Sequence, residues 1–103
     1  MSTRAHIRIF TDSKTLMYYH HSDGYPEHVG KELKSVENEI YEHPENLSEI
    51  LGLDYEETNC LHGDEVYVYI IDCRDKTIKC FSKGLNDSFE NCFKAEREVI
   101  IPK

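Results

Sequence analysis

The sequence predicts an α+β fold: an antiparallel β-sheet made of two hairpins and a C-terminal strand, with one main helix and a short second helix packed on one face. Three observations carry this expectation. Segments near the start and in the second half read as strands, by alternation or by β-branched and aromatic content. Between them lies an apolar stripe of helical period. The elements run strand, strand, helix, short helix, strand, strand, strand, an order that favours antiparallel pairing over the regular strand–helix alternation of a parallel sheet.

Arg4 to Thr11 alternates, with Ala5, Ile7 and Ile9 on one side and Arg4, His6 and Arg8 on the other, the period of a half-buried strand. Asp12-Ser13-Lys14 reads as a turn and Thr15 to His21 as a second strand, which completes a hairpin. A three-residue loop sets Thr11 against Thr15, Ile9 against Met17, Ile7 against Tyr19 and Ala5 against His21. His21 then ends the core face, and His20 sits on the solvent face beside His6.

Pro26 opens the main helix, where its missing N–H is not needed. Val29, Leu33, Val36 and Ile40 recur at spacings of four, three and four, laying one apolar stripe along it. His43-Pro44 ends this helix, because the residue before proline disfavours helical geometry. A short second helix buries Leu47, Ile50 and Leu51 and stops at Gly52. Val66 to Asp72 is the strongest strand, turning at Arg74-Asp75-Lys76 and returning along Thr77 to Ser82. Gly84 to Asn91 reads as a loop with one helical turn, and Glu98 to Ile101 as a last strand stopped by Pro102.

A chain of 103 residues with 39% hydrophobic and 31% charged residues has the profile of one globular domain, residues 1–103. No apolar run approaches the roughly 20 residues of a membrane span, and Met1-Ser2-Thr3-Arg4 lacks the apolar stretch of a signal peptide. A cytosolic protein without a membrane partner is expected. Cys60, Cys73, Cys80 and Cys92 form no Cys-x-x-Cys pair, so free thiols in a reducing compartment are expected. A zinc site from Cys60, His62 and two distant cysteines is the competing reading. No cofactor is implied.

The segment His20 to Gly30 holds three of the six histidines, two of the five glycines and one of the three prolines, where a strand end meets a helix N-terminus. Free N–H groups and a partial positive charge attract anions to such a terminus. Asp23 can occupy it, or a bound phosphate or carboxylate can, with Arg4 and Tyr25 as donors. The ligand- or anion-binding candidates are therefore Arg4, His21, Asp23, Tyr25 and His28. His21, Asp23 and His28 also supply the donor types of a two-histidine, one-carboxylate metal site. An imidazole oriented by Asp23 is a general-base candidate, although Ser22 carries none of the motif of a serine-hydrolase nucleophile. Against these stands a structural role, in which Asp23 bonds turn amides, Gly24 supplies an unusual φ and Tyr25 covers the helix end. No residue is assigned to catalysis.

Between Ser35 and Cys73 there is no lysine or arginine, while Glu37, Glu39, Glu42, Glu45, Glu49, Asp54, Glu56, Glu57, Asp64 and Glu65 all fall there. Half of the 20 acidic residues thus lie from Glu37 to Glu65, and the rest of the chain sums to +2 within a net charge of −8. Contacts to phosphate need Lys and Arg, so this face is not expected to bind nucleic acid directly. It suits a basic partner instead, and can present carboxylates where phosphates would lie. A solvated face that keeps the protein soluble is the competing reading. Calcium fits less well, since no segment follows the acidic order of a calcium loop.

The start Met1-Ser2-Thr3-Arg4, the alternating strand after it, and Tyr19-His20-His21-Ser22-Asp23-Gly24-Tyr25-Pro26-Glu27 with Gly30 and Leu33 together resemble a family of small uncharacterised phage and mobile-element proteins. Its members carry a Tyr-x-His-Trp-Asp-Gly-Tyr-Pro-type motif after the first hairpin. His21, Asp23, Gly24, Tyr25 and Pro26 match it, whereas Ser22 stands where that family has an aromatic. The resemblance covers about the first third of the chain and implies a provenance, with no activity attached. Joined to the acidic stretch, it leads to the expectation of a small acidic phage-type protein in the host cytosol. Such a protein would bind, and inhibit or modulate, a host protein with a basic surface, such as a nucleic-acid-binding or defence component. The alternative is an enzyme or a metal- or anion-binding protein centred on His21 to Pro26.

Overall fold

The hydroxyl of Thr11 sets the geometry of the first two strands. It accepts hydrogen bonds from the backbone N–H groups of Ser13 (3.3 Å) and Lys14 (3.0 Å) and donates to the Lys14 carbonyl (2.9 Å). In the computed structural model, which describes residues 3–84 and 87–102, Thr11 is thereby drawn into the turn. Strand β1 (Ala5–Phe10) pairs antiparallel with β2 (Thr15–His20) in the register Phe10 to Thr15, Ile9 to Leu16, Ile7 to Tyr18 and Ala5 to His20. The expected three-residue loop is thus one residue too short. A one-residue slip moves every side chain of β2 to the opposite face. Tyr18 and His20 point into the core, Tyr19 lies beside His6 on the second face, and His21 is exposed beyond the strand.

Six strands form the sheet in the order β3-β2-β1-β4-β5-β6, with β3 at Tyr55–Thr58, β4 at Tyr67–Asp72, β5 at Thr77–Ser82 and β6 at Glu98–Val99. All neighbours are antiparallel except β1 and β4, which are parallel, so the expected purely antiparallel sheet is corrected to a mostly antiparallel mixed one. The cause is visible in β4, whose Val68, Tyr69, Ile70 and Ile71 are all buried. Such an unbroken apolar run belongs to a strand covered on both faces, and β4 takes the central place beside β1. Strand β3 is an addition to the expected elements. Only its Tyr55 is buried, so Tyr-Glu-Glu-Thr gives almost no alternation to read.

One face of the sheet carries the helical layer. Its apolar stripe is as the spacing predicts, with Val29, Leu33 and Ile40 fully buried against Ile7, Ile9, Tyr69 and Ile71. The helix itself is broken into a π-helical turn (Pro26–Gly30), α1 (Lys31–Ser35) and α2 (Glu37–Glu42), the break falling where Val36 leaves helical geometry at φ −122°, ψ 24°. His43 before Pro44 is likewise non-helical, and a 3-10 turn (Pro44–Asn46) leads into α3 (Leu47–Leu51), which stops at Gly52 with φ 118°.

The second face is covered too, by elements other than the two expected helices. The crossover from β3 to β4 lies over it at Tyr19 and His6, and helix α4 (Phe89–Cys92) packs near Val68, Ile70 and Phe81. Ser88 caps α4, its hydroxyl accepting from the Asn91 N–H at 3.3 Å. Within the loop expected from Gly84 to Asn91, Leu85 and Asn86 lie outside the described residues, as do Met1 and Ser2 of the opening motif. Among the described residues, no helix is long and apolar enough to cross a membrane.

Candidate binding surface at the acidic edge

The acidic stretch folds into the β3 end of the sheet and the helices beside it. Glu37, Glu39 and Glu42 lie on α2, Glu45 on the 3-10 turn, Glu49 on α3, Asp54 in the turn before β3, and Glu56 and Glu57 on β3 itself. Buried tyrosine hydroxyls fasten these pieces together. Tyr18 donates to the carbonyls of Pro44 (3.4 Å) and Glu45 (3.2 Å), and Tyr55 donates to Glu32 Oε1 at 2.7 Å. Ser48 donates to the Tyr55 carbonyl, tying α3 to the edge strand. The carboxylates therefore stand on anchored elements of low conformational freedom.

The same tyrosines register the negative potential around them. Burial raises the Tyr18 hydroxyl above the usual phenol range, and Glu57 and Glu45 raise it further. Tyr41 is pushed up to about 12 by burial and then by Glu37, whose Oε2 accepts from it at 3.3 Å. Burial, then the hydrogen bond to Glu32 and the charges of Glu32 and Asp54, also raise Tyr55.

Three of the ten acidic candidates have a basic partner at the surface: Glu37 with Lys34 (3.6 Å), Glu56 with His21 (2.8 Å) and Asp64 with Arg4 (3.2 Å). Glu39, Glu42, Glu45, Glu49, Asp54 and Glu57 are exposed and have no ion-pair partner among the described residues. Glu65 is a correction, for it is 2% exposed and cannot meet a partner. Its carboxylate accepts from the backbone N–H groups of His62 and Gly63, each at 2.8 Å, and so holds the crossover against the sheet.

The His21 to Pro26 loop is arranged differently from the expected anion site. Arg4 turns to Asp64 and His21 to Glu56, and no side-chain hydrogen bond or ion pair joins any two of Arg4, His21, Asp23, Tyr25 and His28 among the described residues; the His28 N–H donates to the Tyr25 carbonyl (2.9 Å) as part of the helical turn. Asp23, not Gly24, takes the positive φ, at 53°. Gly24 is required by space: a Cβ there would lie 2.8 Å from the Ala5 Cβ and 3.0 Å from the Thr3 carbonyl oxygen. Its N–H donates to that Thr3 carbonyl (2.8 Å), and its own carbonyl accepts from the Tyr69 hydroxyl (2.7 Å). Tyr25 is 45% exposed with its ring 6.0 Å from that of Tyr67, and His28 is exposed on the π-helical turn.

Sequence reasoning overlooked a cluster around Tyr19. Its ring stacks on His62 at 3.9 Å and meets the edge of His21 at 4.7 Å, and its hydroxyl donates to the Asp64 carboxylate, 2.9 Å from each oxygen. Burial, then the Asp64 hydrogen bond, push that hydroxyl up to about 12. Thr58 Oγ1 and His62 Nε2 are 3.0 Å apart, completing a polar seam from the crossover to β3. The signal that would have found it is the side chain of Thr11, since the true register alone brings Tyr19 beside His6. Cys60 is exposed, Cys73 half-buried, and Cys80 and Cys92 buried. Among the described residues, no three His, Cys, Asp or Glu side chains converge as a metal site would need.

No protein-family model matches the chain, and neither a curated protein nor a solved structure is significantly similar to it.

Proposed function

We propose that this chain works by binding, and that the acidic edge formed by β3, α2 and α3 captures a protein partner through a basic surface. The observation that carries this reading is the set of six carboxylates, Glu39, Glu42, Glu45, Glu49, Asp54 and Glu57, exposed and without ion-pair partners among the described residues. Like charges held close together raise the energy of the free protein, and a basic partner relieves it. Because the 3-10 turn, α3 and β3 are fastened by Tyr18, Ser48 and Tyr55, little backbone ordering opposes docking there. A groove that binds nucleic-acid phosphates offers the matching chemistry, so the partner class is a nucleic-acid-binding or defence protein of a host, and the outcome of docking is inhibition or modulation. The resemblance to phage proteins supports the same host setting.

The test is affinity capture from host lysate with the wild-type chain and with Glu39→Lys, Glu42→Lys, Glu45→Lys and Glu49→Lys combined. The wild type is expected to retain a basic protein that the combined variant loses. Retention of the same protein by both chains, or of none that reversal removes, overturns the reading.

A further inference from the structure

We propose a second binding site at the opposite edge of the sheet: the cleft between α1 and β5 receives an extended acidic segment of a partner protein, added as a strand beside β5. After Val99 the chain leaves the sheet, so β6 pairs only with Cys80 and Phe81. The departure is built in by Gly30, where a Cβ would fall 2.9 Å from Ile101 Cγ2; the missing side chain is the seat that Ile101 occupies. Two consequences follow from this single contact. The outer edge of β5 at Thr77, Ile78 and Lys79 has no strand partner among the described residues. An open groove of about 590 Å³ also remains between that edge, α1 and the segment after β6.

The chemistry of the groove selects its occupant. Its walls are apolar, from Ile78, Val99, Ile101 and Pro102, and Ile100 beside them is 88% exposed. Lys31, Lys34 and Lys79 line it, Lys34 being also paired with Glu37 at 3.6 Å, against Glu98 as the one carboxylate in the lining among the described residues. In a chain of net charge −8, three cations around an apolar groove stand apart from the surrounding field. They match an occupant carrying carboxylates. Unpaired backbone on an edge strand is a template for strand addition, in which main-chain hydrogen bonds give affinity and alternate side chains enter pockets. An extended segment alternating acidic and apolar residues satisfies these features together, with its apolar side chains toward Ile78 and Val99 on the helical face and the carboxylates between them toward Lys79 on the other face, the whole segment lying in the field of Lys31 and Lys34. A compact ligand would leave the edge of β5 unpaired.

This site is separate from the acidic edge and stands or falls independently of it. The test is a titration of the ¹⁵N-labelled full chain with acetyl-Glu-Val-Glu-Val-Glu-Val-amide, alongside the peptide with Lys for Glu and the acidic peptide N-methylated at alternate residues. The acidic peptide is expected to shift the amides of Thr77, Ile78, Lys79 and Ile100. The lysine and N-methylated peptides should not, and Lys79→Glu, at an exposed position, should weaken binding by about tenfold or more. Equal binding of the acidic and lysine peptides, shifts that map elsewhere, no binding at all, or an affinity indifferent to charge reversal overturns the proposal. Self-association of the wild type in sedimentation, abolished by Ile100→Asp, also overturns it by assigning the groove to a second copy of the chain. Because the peptide readout is independent of any variant's folding, the result is decisive even if a substitution unfolds the protein.

Discussion

Glu65 Oε2 lies 3.9 Å from His6 Nδ1, and both side chains are fully buried between the sheet and the crossover from β3 to β4. Arg8 Nε donates to His6 Nε2 at 3.3 Å, so the neutral ring carries its proton on Nδ1, facing the carboxylate. Nδ1 has no hydrogen-bond partner among the described residues. Burial, followed by the charges of Arg8 and His62, holds the imidazole down to about 3.

That depression makes folding sensitive to acid. A histidine whose folded pKa lies below its unfolded value stabilises the fold fully above the unfolded pKa of 6.5 and loses that contribution as pH falls toward about 3. Between pH 7.5 and pH 5 the loss amounts to about 2 kcal/mol for this group alone. Urea unfolding across that window should show the wild type losing this much more stability than His6→Gln. Parallel pH profiles for the two proteins would show that His6 is not held neutral.

Glu65→Ala removes the acceptor of two backbone N–H groups, those of His62 and Gly63. The expected loss of stability is about 2–3 kcal/mol, with Glu65→Gln losing less because one carbonyl oxygen remains. Amide hydrogen exchange at His62 and Gly63 should accelerate before the rest of β4 does. Unchanged exchange at these two amides in Glu65→Ala would contradict the clamp.

The Asp23-Gly24 pair separates two reasons for a loop residue. Asp23 sits at φ 53°, a conformation glycine adopts without strain, so Asp23→Gly should be neutral or stabilising by up to about 1 kcal/mol. Gly24→Ala forces a methyl against the Ala5 Cβ and the Thr3 backbone, and should lose about 1–3 kcal/mol. Thermal unfolding of both variants checks this. The reverse order of stabilities would mean that the loop is held by φ at Gly24, as the dipeptide by itself suggests.

Much of this architecture is legible in the residues, and what is not has identifiable causes. The stripe Val29, Leu33 and Ile40 found its buried face even though the helix breaks at Val36, because burial follows spacing more strictly than hydrogen bonding does. Hydrophobic pattern misplaces the register of β2 by one residue, because a threonine hydroxyl invisible to that pattern draws Thr11 into the turn. That single residue exchanged the places of Tyr19 and His20 and hid the cluster with His62 and Asp64. The central place of β4 was written in its unbroken run from Val68 to Ile71, yet the parallel partner came from a crossover of polar composition that no local signal marks. Among the acidic residues, Glu65 could not be told from its exposed neighbours by type, since its burial depends on two backbone N–H groups brought to it by the fold.

The central claim is that the unpaired carboxylates of the acidic edge bind a basic protein. Its most direct measurement is the dissociation constant of the complex with the captured partner at about 50 and about 300 mM salt, for the wild type and for Glu39→Lys, Glu42→Lys, Glu45→Lys and Glu49→Lys combined. The expected result is a wild-type affinity that falls by about tenfold or more across this range and a reversed chain that does not bind at either salt. An affinity insensitive to both salt and charge reversal would contradict the claim.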